Sequence, residues 1–570
     1  MAKIIYVCVR NKEQIPAIER KVGVVTKYLL PDHIKNAECK VKNIDDIVYG
    51  ISNYSDIVKE KEANVCMGVV NEAATNSWNK INCKIDGSYA LFRTDKDFVE
   101  IVTDVVGSRT VWYYIDQDIF IASTSQRAIV SIIEKFELDN RVIPWILSSG
   151  TLGPSYSWSK NIKRLNPNSV LLLTKNTWAI NVTSTPSIFI SQKKKTEDHY
   201  SELYDNIRKS IRGFNLDLSK WVLPLSGGFD SRAIACFITK EKKDAKDLKS
   251  ITWGLKDSIN QRDTDAFVAK KIANCLNINH TYFETDVTSD SIAVVFDRFI
   301  KASEGSIDHI SGYADGFAIW KKLFDSGVKG IIRGDEGFGW HAVVSDSNVR
   351  YSVGLVMCSD FANLDDYESC GFLKQEIPEY LNKREDETKE QWRDRLYHQY
   401  RIPVVLAALS DIKLSYVEIV NPLLTHDIIS QVQKMPDELR TEKELFKKIV
   451  KTISPNVGYA KKGSVANVED IIKTPEALDL IISELNSTYI KEIFSETFIN
   501  KVIKKISQPQ HSINKKNVFK RLIKKYFPMV IKDAFRKRIS KPNLDYYKIA
   551  FRIYLTGKAC KMFELDSKIK

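Results

Sequence analysis

The residues with the clearest chemical potential form the run LSGGFDSR at positions 225–232. Gly227 and Gly228 lack a Cβ atom, so the backbone can turn tightly and bring its N–H groups close to an anion. Ser226 and Ser231 add hydroxyl donors. A strand is predicted before the run and a helix after it, and the positive end of such a helix favours a bound phosphate. The run therefore predicts a phosphate-binding loop.

The loop contains one carboxylate, that of Asp230, which would repel a phosphate directly. We expect it to act as a ligand of Mg²⁺ held by the phosphates, because this ion prefers oxygen ligands. The pattern GxxxxGK[ST] of the Walker loop is absent. The run instead resembles the SGGxDS loop of the ATP pyrophosphatases. That resemblance implies cleavage of ATP between its α and β phosphates, which adenylates a substrate and does not phosphorylate it.

The elements around this loop alternate between strands and helices. Strands are predicted at 221–225, 250–255, 280–284 and 330–334, and helices at 231–242 and 265–276. Such alternation predicts an α/β domain with a parallel sheet and helices on both faces. Residues 340–510 are predicted to be largely helical.

Residues 1–190 read as β-rich, because short apolar runs recur between turn signals. Two facing sheets with associated helices would suit this rhythm, so an α+β N-terminal domain is predicted. These runs are KIIYVCV, YALFRT, FVEIVTDV, VWYYI, IFIAS, SVLLLT and WAINVTS. The polar stretch SQKKKTEDH (191–199) is predicted to be a linker. The predicted domains are therefore 1–190, 200–510 and a basic extension, 511–570.

Composition excludes several classes of protein. A chain of 570 residues with 44% hydrophobic content is too long for one core. No window has the roughly 18 uninterrupted apolar residues of a membrane span. The nine cysteines are scattered without a CxxC pair, which favours neither a zinc site nor a disulfide framework and is typical of a reducing cytoplasm.

The net charge of +13 is concentrated at the C-terminus. Residues 511–570 hold 13 Lys and 4 Arg against 3 Asp and 1 Glu, so no specific nucleic-acid partner is expected for the enzyme body. Segment 517–538 combines an apolar stripe with basic residues. It fits either a helix packed on the domain with a solvated basic face, or one bound to the inner face of an anionic membrane or to an acidic partner. The sequence leaves both open.

Further segments resemble the asparagine synthetase family. SITWGLKDS (250–258) resembles a strand whose backbone, around Thr252 and Gly254, would meet adenine. Asp265 opens a helix where the family has an acidic residue, and His280 matches a family histidine. GDEGFGW (334–340) resembles a longer acidic turn, GEGxDExFGG, in which Asp335 would be a second Mg²⁺ ligand; here Arg333 precedes the turn, a departure from the pattern.

The resemblance continues along the helical part. VEIVNPLLTHDII (417–429) aligns Glu418 with a family glutamate, and TEKELFKKIV (441–450) places Lys443 near pyrophosphate. In NVGYAKKGS (456–464), Lys462 is the better match to an essential lysine and Lys461 the second choice. Lys462, Glu418 and Lys443 are thus the implied catalytic residues, and Asp230 and Asp335 the implied metal ligands. The implied ATP site comprises Leu225, Ser226, Gly227, Gly228, Asp230, Ser231, Thr252, Gly254 and Gly334.

The N-terminal half, over residues 86–130, resembles the glutamine-amidotransferase half of that family, in which a cysteine exposed as residue 1 hydrolyses glutamine. This chain begins Met1-Ala2-Lys3, and Cys8 lies inside an apolar strand pattern. We therefore expect no glutaminase activity. β-Lactam synthetases and lasso-peptide cyclases share this loss, and both join an adenylated carboxylate to an amine of the same molecule.

The sequence thus predicts a cytoplasmic ligase that uses ATP and Mg²⁺ to adenylate a carboxylate and transfers the acyl group to an amine or ammonia. The substrate could be a peptide or a glycan, and attachment to the inner membrane through the tail is left open. Three alternatives remain: a macrocyclase of the lasso-peptide type, a non-catalytic scaffold, and an ATP pyrophosphatase that modifies nucleic acid.

Overall fold

The computed structural model describes residues 3–74, 76–285, 288–508 and 541–569. The predicted membrane or partner segment, 517–538, lies outside the described residues and stays a prediction. Among the helices that are described, none has the length and apolar character needed to cross a bilayer.

Two six-stranded antiparallel sheets form most of the N-terminal half, as predicted. Their orders are β10-β8-β9-β1-β3-β2 and β12-β11-β7-β6-β5-β4. Successive residues of a strand point to opposite faces. In β1, Ile4 and Tyr6 therefore pack between the sheets, while Ile5 and Val7 pack against helices on the other face. Because both faces are covered, the strand reads as a continuous apolar run.

The strands of these sheets are β1 (Lys3–Val9), β2 (Lys40–Ile44), β3 (Ile47–Ser52), β4 (Lys59–Lys61), β5 (Asn64–Val70), β6 (Gly87–Thr94), β7 (Phe98–Thr103), β8 (Trp112–Ile115), β9 (Ile119–Ser123), β10 (Lys163–Arg164), β11 (Ser169–Thr174) and β12 (Ala179–Ser184).

A five-stranded sheet follows, in the order β15-β14-β13-β16-β17, and all of its neighbouring strands are parallel. This confirms the predicted fold class. The last strand was not predicted, because it lies within residues 340–510, which were predicted to be largely helical. The strands are β13 (Trp221–Pro224), β14 (Lys249–Gly254), β15 (Asn279–Glu284), β16 (Gly330–Ile332) and β17 (Glu418–Val420).

Helices cover the sheets and make up most of residues 340–508. A π-helical segment, Tyr397–Leu406, contains Pro403. The α-helices are α1 (Ile15–Tyr28), α2 (Gln126–Ile133), α3 (Val142–Ser149), α4 (Thr196–Gly213), α5 (Asp230–Glu241), α6 (Asp265–Cys275), α7 (Ile292–Ser303), α8 (Ala318–Asp325), α9 (Asp346–Val353), α10 (Lys389–Leu396), α11 (Ala407–Leu414), α12 (His426–Lys434), α13 (Asp437–Arg440), α14 (Glu444–Ile453), α15 (Val468–Ile472), α16 (Pro475–Leu485), α17 (Thr488–Ile493), α18 (Glu496–Ile506) and the C-terminal helix (Tyr546–Asp566).

The predicted linker at 191–199 is shorter than its composition indicates. Helix α4 begins at Thr196, and His199 is fully buried. Glu197 and Asp198 lie in the first turn, where negative charge complements the positive end of a helix. The charged residues that read as a linker are therefore partly the first turn of an amphipathic helix.

The C-terminal helix falls within the predicted basic extension but is largely buried. Asp566 forms a buried ion pair with Arg127 of α2. Arg552 donates to the carbonyl oxygens of Leu147 and Ser148 at the end of α3. This helix therefore ties the N-terminal half to the helical part of the chain.

Candidate active site

The carboxyl ends of β13, β14 and β16 meet at one edge of the parallel sheet. After β13 the chain builds the sheet in one direction through β14 and β15, and then in the other through β16 and β17. The edge beside β13 is therefore the point at which strand order reverses, where ligands bind in open α/β sheets.

The predicted phosphate loop joins β13 to α5 at this edge. The Ser231 hydroxyl accepts from the Ser226 backbone N–H at 2.9 Å, and the two serine hydroxyls are 3.0 Å apart. Helix α5 begins at Asp230, so its free N–H groups face the loop. A Cβ added to Gly228 would meet only the Ser226 hydroxyl, at 3.4 Å. The loop thus has an open face lined by polar donors.

Gly227 is required by a close approach of the chain. Its N–H donates to the Asp265 carboxylate at 3.2 Å, and its carbonyl oxygen accepts from Ala460 N at 3.1 Å. A Cβ at position 227 would lie 2.4 Å from the Cβ of Ala460. The predicted acidic residue of α6 and the segment 456–464 therefore both contact the loop.

A cluster of three charged side chains lies beside the loop. The Lys443 ammonium is 3.1 Å from both carboxylate oxygens of Asp230 and 2.7 Å from Glu336. Lys443 has a positive φ of 58°, rare for a side-chain-bearing residue and frequent at functional sites. Burial opposes its charge, but Glu336 and Asp230 outweigh that effect and raise the pKa of Lys443.

Both carboxyl groups of this cluster are destabilised as anions. Burial is the main cause of the raised pKa of Glu336, and the charge of Asp230 adds to it. Burial also raises the pKa of Asp230, against the opposing effect of Lys443, and Asp335 raises it further. The cluster therefore has too little positive charge, so an added cation would stabilise it.

Glu336 is the site residue that sequence reasoning missed. Its neighbour Asp335, the predicted metal ligand, pairs with Arg333 at 2.9 Å, whereas Glu336 contacts Lys443. The available signal was a second acidic residue directly after the strand. A Cβ at Gly334 would lie 3.0 Å from Ser231 N, so this acidic turn packs directly on the start of α5.

These carboxylates suit a Mg²⁺ ion that arrives with a nucleotide. Within the described ranges, no group of three or more His, Cys, Asp and Glu side chains could hold a metal by itself. Asp230, Asp335 and Glu336 nevertheless share one electrostatic environment. One or two carboxylates, completed by phosphate oxygens and water, are a common way of binding this ion.

Lys462 stands at the rim of the same edge. Its backbone N–H donates to the Asp263 carbonyl oxygen, and its own carbonyl oxygen accepts from Asp265 N at 3.0 Å. The side chain is exposed. Lys461, by contrast, pairs with the Asp263 carboxylate at 3.4 Å. In the part of the chain that is described, Lys462 forms no ion pair and is available to a ligand.

Residues 220–332 match the family model described as asparagine synthase. This stretch of the chain is therefore similar to asparagine synthase. The match covers β13–β16, with the phosphate loop and Asp265. It ends before Asp335, Lys443 and Lys462, so the roles of these residues stay predictions.

Comparison with other proteins adds little beyond this match. No curated protein matches the chain significantly. An allosteric regulatory enzyme of purine biosynthesis is 6% identical, with 49% of this chain and 80% of that chain covered and a TM-score of 0.22. The glutamine phosphoribosylpyrophosphate amidotransferase from B. subtilis is 8% identical, with 46% of this chain and 67% of that chain covered and a TM-score of 0.20. The U34-tRNA thiolase NcsA from Methanococcus maripaludis is 13% identical, with 51% of this chain and 94% of that chain covered and a TM-score of 0.20. Scores this low carry no argument about this protein.

The predicted adenine side of the candidate site is partly covered by other segments of the chain. The Thr252 hydroxyl donates to the Leu225 carbonyl oxygen, which holds β14 against the start of the loop. A Cβ at Gly254 would lie 2.4 Å from the Ser464 carbonyl oxygen. Contact of Thr252 and Gly254 with adenine stays a prediction.

Glu418 is not brought to this edge. It is fully buried at the start of β17, level with Gly330 at the start of β16, whereas the phosphate loop follows the far ends of these strands. Its carboxylate pairs with Arg109 of the N-terminal half. The geometry therefore assigns Glu418 a contact between the two halves of the chain and gives no support to a catalytic role.

Proposed function

We propose that the protein is an ATP-dependent carbon–nitrogen ligase that forms an acyl-adenylate and transfers its acyl group to an amine or ammonia. The observation that carries this proposal is the convergence of four separate segments at one sheet edge. These are the loop at Ser226–Ser231, the acidic turn at Asp335 and Glu336, Lys443, and the strand-like segment with Lys462.

The reaction begins when a carboxylate oxygen of the substrate attacks the α phosphorus of ATP. The bond from this phosphorus to the bridging oxygen breaks, and pyrophosphate leaves. The amine nitrogen then attacks the acyl carbon, AMP leaves, and the nitrogen loses a proton. Positioning and charge stabilisation are the main contributions that a protein makes to such displacements.

The side chains have separate tasks in this scheme. Ser226, Ser231 and the start of α5 bind phosphate oxygens, replacing the contacts that the two hydroxyls now make with each other. Lys443 and Lys462 neutralise, in this proposal, the negative charge that develops on the leaving pyrophosphate. Mg²⁺, held by Asp230 and Asp335 with Glu336 close by, would supply further charge neutralisation.

The N-terminal half is proposed to lack glutaminase activity. Cys8 is fully buried in β1, and burial raises the pKa of its thiol, which favours the unreactive protonated form. Lys3, at the start of the same strand, is buried in an ion pair with Glu304. Release of glutamate from glutamine that follows the purified protein would contradict this part of the proposal.

The direct test of the ligase is exchange of radiolabelled pyrophosphate into ATP in the presence of a panel of carboxylates, with AMP formation measured in parallel. Exchange that depends on one class of carboxylate supports an adenylating ligase. ATP cleavage that depends on RNA and not on a carboxylate would identify a nucleic-acid-modifying enzyme. Absence of ATP binding would identify a scaffold.

A further inference from the structure

Lys462 lies in a segment, residues 454–464, that forms neither a helix nor a strand. The position of its ammonium group therefore depends on the contacts that hold the backbone of this segment. The end of the segment is held by the turn before α6, because the Asp263 carbonyl oxygen accepts from Lys462 N and the Ser464 hydroxyl accepts from Ala266 N. The part before Lys462 is held by a different side chain.

That side chain is Arg232, in the first turn of α5, and it is fully buried. Its Nη1 donates to the Val457 carbonyl oxygen at 2.7 Å, and its Nη2 donates to the Gly458 carbonyl oxygen at 2.7 Å. Nη2 is also 3.4 Å from the Gly227 carbonyl oxygen of the phosphate loop. A guanidinium group is planar and rigid, so it fixes both carbonyl groups of the segment at once.

Aromatic packing adds to this contact. The Tyr459 ring lies 3.9 Å from the guanidinium carbon of Arg232 and stacks on Phe229 of the phosphate loop, with ring centres 3.9 Å apart. Ala460 N then donates to a carbonyl oxygen of the loop at 3.1 Å. Each of residues 457–460 therefore contacts either the phosphate loop or the first turn of α5, directly before the two lysines.

Arg232 carries its charge in unfavourable surroundings. Burial lowers its pKa, and the first turn of a helix disfavours a cation. Within the described residues, no carboxylate forms an ion pair with it. Four other arginines that are less than 2% exposed each pair with a carboxylate, namely Arg93, Arg393, Arg395 and Arg440. The fold thus holds one costly, unpaired guanidinium directly beside the phosphate loop.

We propose that Arg232 is a positioning residue, which holds Lys462 at the phosphate loop through its contacts with Val457 and Gly458. This inference rests on the proposed function, in which Lys462 neutralises charge on pyrophosphate. Arg232 contacts no phosphate in this scheme, because carbonyl oxygens already accept from its two Nη atoms. Its effect on pyrophosphate must therefore pass through Lys462.

A double-mutant cycle tests this dependence. The affinity for pyrophosphate with Mg²⁺ is measured by titration calorimetry in the wild type, Arg232→Gln, Lys462→Ala and the double variant. Each single substitution should weaken binding about tenfold, the usual effect of one hydrogen bond to a charged group. The double variant should also be about tenfold weaker, because two residues that act as one unit are not additive. A loss of about a hundredfold in the double variant, the product of the single losses, overturns the inference.

Arg232→Lys separates position from charge and completes the same cycle if Arg232→Gln does not fold. An ammonium group keeps the positive charge but lacks the fork that reaches two carbonyl groups, so binding should stay impaired. Recovery of the wild-type affinity would show that only charge matters at this place, and would overturn the positioning role.

Arg552→Gln is the matched control, because Arg552 is 6% exposed and also donates to two consecutive carbonyl oxygens, those of Leu147 and Ser148. It should bind pyrophosphate as the wild type does. Equal weakening in this control would assign the effect of Arg232 to general loss of stability, which also overturns the inference.

The proposed function is tested separately by carboxylate-dependent exchange of pyrophosphate into ATP in the wild type. Absence of exchange in a protein that still binds pyrophosphate overturns the ligase, and the binding cycle can still be measured. Absence of pyrophosphate binding in the wild type overturns the positioning role of Arg232.

Discussion

At the start of β1 the buried carboxylate of Glu304 lies 2.6 Å from Lys3, whereas at the edge of the parallel sheet the buried carboxylate of Glu336 shares Lys443 with Asp230. Glu304 also accepts from the Ser125 hydroxyl and from Gln126 N. Burial opposes ionisation at both sites. Lys3 and the other donors nevertheless lower the pKa of Glu304, while the pKa of Glu336 is raised.

Two glutamates with similar burial thus differ in the number of partners that each one has to itself. A carboxylate whose partners are complete stabilises the contact between two parts of the chain. A carboxylate that must share its cation stays in an unfavourable state that a ligand can relieve. The comparison therefore separates a buried charge network that holds the fold from one that is prepared for binding.

The largest expected effect comes from the two predicted metal ligands beside the phosphate loop. Asp230→Ala and Asp335→Ala should each lower adenylation by on the order of 10³ or more, because a site for a highly charged nucleotide loses a metal ligand. The circular dichroism spectrum should stay close to that of the wild type. AMP formation at nearly the wild-type rate in either variant would show that the substituted carboxylate is not needed for adenylation.

The buried ion pair of Lys3 with Glu304, whose partners are complete, should show the opposite behaviour. Lys3→Met leaves the Glu304 carboxylate buried without its cation, and should lower the free energy of unfolding by about 3–5 kcal/mol. Pyrophosphate exchange per folded molecule should be unchanged, because the pair does not reach the sheet edge. Lys160→Met, which breaks an exposed pair with Glu137, is the control and should have no measurable effect. A stable Lys3→Met protein without exchange activity would reverse the comparison.

Lys462→Ala should reduce product formation by about 10²–10³, as removal of one preorganised electrostatic donor often does. Its neighbour Lys461 already pairs with Asp263, so Lys461→Ala should change the rate much less. Steady-state rates with a saturating carboxylate measure both. If only Lys461→Ala is impaired, the assignment is off by one residue, and if neither is impaired the segment is surface.

The smallest effect concerns His280 of β15, whose half-buried ring lies beside β14. Nδ1 lies 2.9 Å from the Ser250 hydroxyl, and Nε2 has no hydrogen-bond partner in the described structure. Burial, with a contribution from Lys270, lowers the pKa of His280 to about 4 from an ordinary 6.5. The unfolded chain therefore binds a proton at this residue between pH 6.5 and 4, while the folded chain does not, so stability falls as pH falls through that window.

Relative to His280→Gln, the wild type should lose on the order of 1–3 kcal/mol of unfolding free energy between pH 6.5 and pH 4. Urea unfolding of both proteins at several pH values measures the difference. Parallel pH profiles for the two proteins would show that the ring is hydrated or charged in the folded state.

Much of the sheet edge could be predicted from local sequence. The run LSGGFDSR needs only two glycines, two hydroxyls and a following helix to form a phosphate loop, and these are neighbours in the chain. The apolar runs at 221–225 and 250–255 likewise predict strands, because strand burial repeats over a few residues. The grouping of Lys443 with Asp230 came only from resemblance to a family, since 213 positions separate the two residues.

Other features depended on contacts that leave no local pattern. Asp335 and Glu336 are adjacent and equally acidic, yet one faces Arg333 and the other Lys443. Glu418 matched a family motif but lies at the opposite end of its strand from the phosphate loop, against Arg109. The first turn of α4 read as a linker because its charged residues resemble those of an exposed connection.

The sequence alone therefore determined the class of each domain and the chemistry of the phosphate loop, because periodicity and turn formation act over a few neighbouring residues. Only the tertiary structure decided which acidic residue shares Lys443 and which glutamate joins the halves. These outcomes depend on which distant side chains are buried together, and burial controls whether a charge is paired, shared or left to a ligand.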